Sequence, residues 1–208
     1  MKFVLLVEGD TEKKVVADFF KRWLDPQLKE PIGMKVVNFK GNAKLQQEIV
    51  KKAREYLESP KSGEIVAVIG LLDLYGLASY PPHATTAAQR HDWAVEDLEK
   101  RVGRTKFRMF FAVHELEAWI LSQPNILPRD VRDALPKSVK RPEAVDFDEP
   151  PAKLLNRLYR SCTGKTYKKT TYGSQLFKNL DPAVAVEQCP YLKAMLAEML
   201  RLARNAVL

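Results

Sequence analysis

Residues 2–7, KFVLLV, form an apolar run broken only by its opening lysine, and the run stops at Glu8 and Gly9. A short apolar run rich in strand formers and bounded by glycine predicts a buried β-strand. From Thr11 the spacing changes. Val15, Val16, Phe19, Phe20, Trp23 and Leu24 share one face of a helix, with Asp10 as its expected cap and Pro26 as its stop. The same alternation then recurs. MKVVNF (34–39) reads as a strand, and 44–58 as a helix with Leu45, Ile49, Ala53 and Leu57 on one face. EIVAVIGLL (64–72) is a third strand that halts at Asp73, and the proline-bearing stretch 76–90 reads as a loop. HDWAVEDLEKRV (91–102) is a helix, KFRMFFAV (106–113) a fourth strand, and HELEAWILS (114–122) the start of another helix.

Strands separated by helical crossovers must run parallel, and parallel sheets bury both faces. The expected architecture is therefore α/β: an open parallel sheet of about four strands with helices on both faces. The first and third strands are expected side by side at the centre, where the winding reverses and ligands bind beyond the strands' carboxyl ends. After residue 124 prolines punctuate short pieces, followed by helical patterns near 151–161, 172–180 and 189–205. The expected division is an α/β domain over 1–123 and a helical C-terminal extension over 124–208 packed on it.

Charge changes this picture. The net charge of +8 is concentrated at one end, since residues 151–208 carry ten basic against three acidic side chains. Within 151–180 there are seven basic residues and no acid. Such asymmetry points to a polyanion, DNA or RNA, as partner. Otherwise the composition, 46% hydrophobic and 29% charged, is that of a soluble globular protein. No apolar run reaches the roughly 18 residues a membrane span needs. The apolar stretch at the N-terminus is too short for a signal-peptide core, so a cytoplasmic location is expected. Two cysteines, Cys162 and Cys189, suit reduced thiols.

The strand ends carry the chemistry. Glu8 follows the first strand, Asp73 the third, and Glu115 and Glu117 the fourth, all at one edge of a parallel sheet. Carboxylates gathered there repel unless a cation relieves them. Oxygen donors with little His or Cys select Mg²⁺, with Mn²⁺ as substitute, and such an ion beside a basic surface suits phosphodiester chemistry. Two other motifs fail. H-E-L-E lacks the second histidine of a zinc protease, since position 118 is Ala118, and G-K-T at 164–166 lacks the P-loop's first glycine, since that position is Tyr159.

V-E-G-D-T-E (7–12) resembles the first motif of Toprim domains in the form found in old-type nucleases, and L-L-D-L-Y-G (71–76) resembles their second acidic motif. H-E-L-E-A-W (114–119), Y-K-K-T-T-Y-G (167–173) and C-P-Y-L (189–192) resemble three later motifs of a Toprim-like family of small bacterial proteins of unknown function. The resemblance runs from residue 3 to about residue 196 and implies a Toprim-like fold. It implies Glu8 as general acid or base and Asp73 as a Mg²⁺ ligand, while the position of Glu115 and Glu117 after the neighbouring strand offers one of them as the further ligand. It favours Lys169 as the stabiliser of transition-state charge, with Lys165, Tyr167 and Lys168 as nucleic-acid contacts and Gly173 permitting close backbone approach. Glu12 is a first-turn acid and His114 a positioning residue. The usual D-x-D departs here, because its second aspartate is Tyr75. Two functions follow as expectations. One is a Mg²⁺-dependent nuclease, with a role in genome defence beside a partner ATPase. The other is a catalytically degraded module that binds nucleic acid or that ATPase. A small phosphotransferase or phosphatase is a third, weaker reading.

Overall fold

The computed structural model describes residues 1–74, 77, 80–144 and 149–206. Tyr75, singled out above, lies outside the described residues. Four strands form one parallel sheet: β1 (Lys2–Val7), β2 (Gly33–Asn38), β3 (Ile65–Asp73) and β4 (Phe107–Ala112), in the order β2-β1-β3-β4. The expected pairing of the first and third strands at the centre is observed. Val7 is level with Leu71, and Asp73 is level with Ala112. Glu8 and Asp73 therefore leave the same sheet edge on adjacent strands, and the segment carrying Glu115 and Glu117 leaves it from the next strand.

Alternation along the strands sends side chains to two cores. Phe3, Leu5, Val7, Ile69 and Leu71 face one core; Val4, Leu6, Val68, Leu72, Phe107 and Phe111 face the other. The second core is closed by α2 (Asn42–Leu57) and α3 (Ala87–Val102), through Leu45, Ile49, Ala53, Ala94, Leu98 and Val102. Gly70 sits on this face because a Cβ there would lie 2.6 Å from Met109 Sδ and 3.0 Å from Ile49 Cδ1. The first core is closed by α1 (Asp10–Leu24), α4 (Glu117–Leu121), α5 (Arg129–Asp133), α6 (Pro151–Thr163), α7 (Ser174–Asn179), α8 (Pro182–Gln188) and α9 (Pro190–Ala206). Its centre is aromatic. Phe19 stacks on Trp119 at 5.9 Å between centroids and meets Phe177 edge-on at 5.6 Å. Each such fully buried ring contributes about 1.5–3 kcal/mol from burial alone.

Several boundaries differ from the sequence reading. Gly9, with extended backbone, is the N-cap of α1 in place of Asp10. The Asp10 carboxylate instead accepts a hydrogen bond from Asn38 Nδ2 at 2.6 Å. α3 begins four residues earlier than expected, because Thr86 and Gln89 form a capping box. Residues 114–116 precede α4 and are not helical. The expected helix at 172–180 is one turn of π-helix, Lys169–Gly173, running into α7.

Two side chains fix the later helices. Arg22 of α1 donates to Leu180 O at 2.7 Å and to Phe177 O at 3.0 Å, tying the end of α7 to α1. Glu143 accepts from the backbone N–H groups of Tyr191 (2.7 Å) and Leu192 (3.2 Å) and so caps α9. Among the described residues, no helix is long and apolar enough to cross a membrane.

Candidate acid–lysine site

Beyond the carboxyl ends of β3 and β4, three carboxylates face one ammonium. Lys169 Nζ lies 3.0 Å from Glu115 Oε1, 3.1 Å from Glu117 Oε2 and 3.7 Å from Asp73 Oδ2. The second oxygen of two of these acids is tied to backbone. Asp73 Oδ1 accepts from Leu116 N at 3.2 Å, and Glu115 Oε2 accepts from Ala152 N at 2.9 Å. Ala152 lies in the first turn of α6, so Glu115 completes the N-terminus of that helix where its own sequence, opening on Pro150 and Pro151, provides no cap. Glu117 Oε1 is approached by the Tyr167 hydroxyl at 3.4 Å. A Cβ on Gly173 would come within 2.7 Å of that hydroxyl, which explains the glycine.

Lys169 reaches this point because of the layers beneath it. The π turn that carries it leads directly into α7, which packs on α1 and is held there by Arg22. The lysine is thus delivered across the sheet edge from more than ninety residues beyond Asp73.

Burial pushes the Asp73 carboxyl well above the ordinary carboxylate range; Lys169 pulls it back, while Glu117, Glu12 and Glu115 push it up again. Burial likewise raises Glu117, opposed by Lys169 and reinforced by Glu115. Burial alone would lower the Lys169 ammonium, but Glu117, Asp73 and Glu115 together overcome it and hold the lysine protonated well above its usual range. The cluster is one coupled unit with a single cation at its centre.

The other residues singled out from sequence divide by position. Glu8, half-buried, leaves β1 at the same edge, and its carbonyl accepts from Gly41 N at 2.9 Å. Glu12 belongs to the neighbourhood through its field on Asp73, and its carboxylate lies over Gly9, where a Cβ would be 2.6 Å from Glu12 Oε2. His114 is buried at the foot of the Glu115–Glu117 segment. Tyr167 is buried and turned toward Glu117, not outward as a surface contact would be. Lys165 and Lys168 are exposed. The role of Glu115 as a helix cap was missed from sequence. Pro150-Pro151 announces a helix start without a capping side chain, but its acceptor comes from more than thirty residues away.

Among the described residues no group of three or more acids, histidines or cysteines is set to hold a metal ion as it stands. The donor chemistry nevertheless fits a hard divalent cation: the converging atoms are all carboxylate oxygens, and the ammonium stands where a cation is required.

Comparison with curated proteins finds no match. Among solved structures, the C-terminal region of the Burkholderia pseudomallei OLD protein is similar, with 19% sequence identity and a TM-score of 0.49 over 100% of this chain and 98% of that one. A family model described as Domain of unknown function (DUF4276) matches residues 7–200. That match runs from the last residue of β1 to within α9, spanning every element that builds the acid–lysine site, and the chain belongs to this family of domains of unknown function.

Proposed function

We propose that the chain is a Mg²⁺-dependent phosphodiesterase of the Toprim-like nuclease kind, acting on DNA or RNA. The observation that carries this reading is the convergence of Asp73, Glu115 and Glu117 on Lys169 at the carboxyl edge of the sheet. Asp73, Glu115 and Glu117 would hold the ion, with Glu8 and Glu12 beside them. The ion, when bound, polarises a phosphoryl oxygen and lowers the pKa of a bound water. Lys169 holds the acids in place and offsets negative charge that builds on the phosphoryl oxygens. Glu8 accepts the proton of the attacking water; the new P–O bond forms as the bond to the leaving sugar oxygen breaks, and that oxygen is then protonated. Lys165 and Lys168 meet the backbone. A partner ATPase in genome defence belongs to the proposal through the motif resemblance, and a cytoplasmic location through the short apolar stretch at the N-terminus.

A second reading, a non-catalytic nucleic-acid-binding module, is favoured by the same ammonium. Lys169 already offsets part of the charge of the three carboxylates, standing where a cation would otherwise be needed. The two readings separate in one experiment. Labelled single-stranded and duplex DNA and RNA are incubated with Mg²⁺ or Mn²⁺, and binding is followed against salt. The nuclease reading expects metal-dependent cutting that vanishes in Glu8→Gln and Asp73→Asn, with binding that weakens steeply as salt rises. Salt-sensitive binding without cutting in either metal supports the module, and absence of binding at low salt removes both.

A further inference from the structure

Next to the acid–lysine site lies a groove of about 430 Å³ lined by Tyr159, Thr163, Lys165, Tyr172, Gln175 and Asn179. Its size falls within the range of about 300–1,000 Å³ usual for small-ligand sites. One wall is aromatic. The Tyr172 ring packs on Tyr159 at 5.3 Å between centroids, and Tyr159 in turn packs on Tyr167 at 5.4 Å. Tyr159 is buried and Tyr172 half-buried, and both line the groove, so the platform is fixed from behind. Another wall is made by the amides of Gln175 and Asn179, both exposed and one helical turn apart on α7. Each offers two donors and an acceptor, the pattern that pairs with a base edge. The surrounding segment, 151–180, has seven basic residues and no acid.

The groove is coupled to the site by position. Tyr167 stands between them, with its ring against Tyr159 and its hydroxyl toward Glu117. Lys169 and Tyr172 belong to the same π turn. Lys165, exposed and itself part of the groove lining, is placed to meet the backbone phosphate of a nucleotide seated there.

We propose that this groove seats one unpaired nucleobase, which makes single-stranded or locally unpaired nucleic acid the substrate class. The inference rests on the nucleic-acid reading of the site. A base inside a duplex is stacked and paired, and must leave the helix before an aromatic platform and two amides can reach its face and edge. In a single strand that cost is small.

The test measures binding without divalent metal, so it does not depend on cutting. Fluorescence anisotropy compares a labelled single strand with the duplex of the same sequence, at low salt, for wild type, Tyr172→Ala, Tyr172→Phe and the Gln175→Ala/Asn179→Ala pair. Single strands should bind on the order of ten-fold more tightly than duplex. Tyr172→Ala should weaken single-strand binding by roughly 5- to 150-fold, the worth of one base–aromatic stack, and leave duplex binding unchanged. Tyr172→Phe should keep the preference. Should Tyr172→Ala fail to fold, the exposed Gln175→Ala/Asn179→Ala pair, which leaves the platform intact, should still lose the difference in affinity between strands of different base composition. Equal or tighter duplex binding by wild type overturns the inference, as does an equal loss on both substrates in Tyr172→Ala, or no nucleic-acid binding at all. Single-strand preference without cutting in Mg²⁺ or Mn²⁺ upholds the inference while removing the nuclease reading.

Discussion

Replacing Lys169 by methionine keeps most of the side chain's length and apolar stem and removes only the ammonium. The three carboxylates it faces are 15%, 14% and 3% exposed at Asp73, Glu115 and Glu117. Breaking a buried ion pair by deleting one partner typically costs about 3–5 kcal/mol, because the remaining charge is stranded. The Lys169 side chain is 37% exposed, so solvent shares part of its work and the expected loss is smaller. A reasonable figure is about 2–3 kcal/mol at neutral pH, or a fall of roughly 4–12 °C in melting temperature for a chain of this size. The assay is thermal and urea unfolding of Lys169→Met, Glu117→Gln and the double variant. Removing one charge from each side should recover part of the loss, giving a coupling of about 1–3 kcal/mol. Mg²⁺ or Mn²⁺ should raise the melting temperature of Lys169→Met more than that of wild type, because the vacated position suits a cation and ligand binding stabilises by mass action. A Lys169→Met protein melting within about 1 °C of wild type, with coupling below about 0.5 kcal/mol, would refute the idea that the ammonium balances the acids.

Three further outcomes are expected. Gly173→Ala should destabilise by about 1–3 kcal/mol, since the added carbon meets the Tyr167 hydroxyl, whereas Gly9→Ala meets only the end of the Glu12 side chain and should cost about 0.5–1 kcal/mol from the poorer N-cap of α1; unfolding curves of both variants check the order. Glu115→Ala should unfold with a loss of about 0.5–2 kcal/mol from the uncapped α6 alone, measurable as a shifted urea midpoint. Burial raises the Glu143 carboxyl from 4.5 to about 7 against the opposing hydrogen bonds of Tyr191 and Leu192. Its contribution to stability is therefore full below pH 4.5 and is lost as pH rises toward about 7, a swing of about 3 kcal/mol. Urea midpoints taken at about pH 5 and about pH 8 should show that decline in wild type and a flatter profile in Glu143→Gln; parallel profiles would exclude Glu143 as its source.

What could be read in the sequence was what is local. KFVLLV and EIVAVIGLL are apolar on both faces because both faces of β1 and β3 are covered, so their strand character and central position were legible. The acids that end them were legible for the same reason: a polar residue after a buried strand can only stand at the sheet's edge. The early start of α3 was also available, since Thr86 and Gln89 have capping-box spacing, but the two prolines before it drew the reading toward a longer loop. Other features depend on distant partners. Short α8 and α5 are stabilised by packing and not by periodicity, and five or seven residues give too little pattern to find them. No local signal shows that Glu115 would cap α6, or that Asp10 would turn from its own helix to Asn38. The meeting of Lys169 with Asp73 depends on the way α7 is carried over α1.

That last contact has a consequence for how the protein is made. The acids of the site all lie within the first 117 residues, and their counter-ion arrives only at residue 169, on the turn that leads into α7, whose far end Arg22 of α1 holds. A nascent chain that has just completed its sheet has one apolar face without its later helices and a cluster of carboxylates with no lysine among them. The segment that carries Lys169 and α7 supplies the lysine and part of the cover. Long-range closure of this kind is slow because the loop must be ordered before its contacts reward it. A chain that ends before residue 169 therefore lacks the cation of its acid cluster, and the segment that supplies it also brings α7 onto α1.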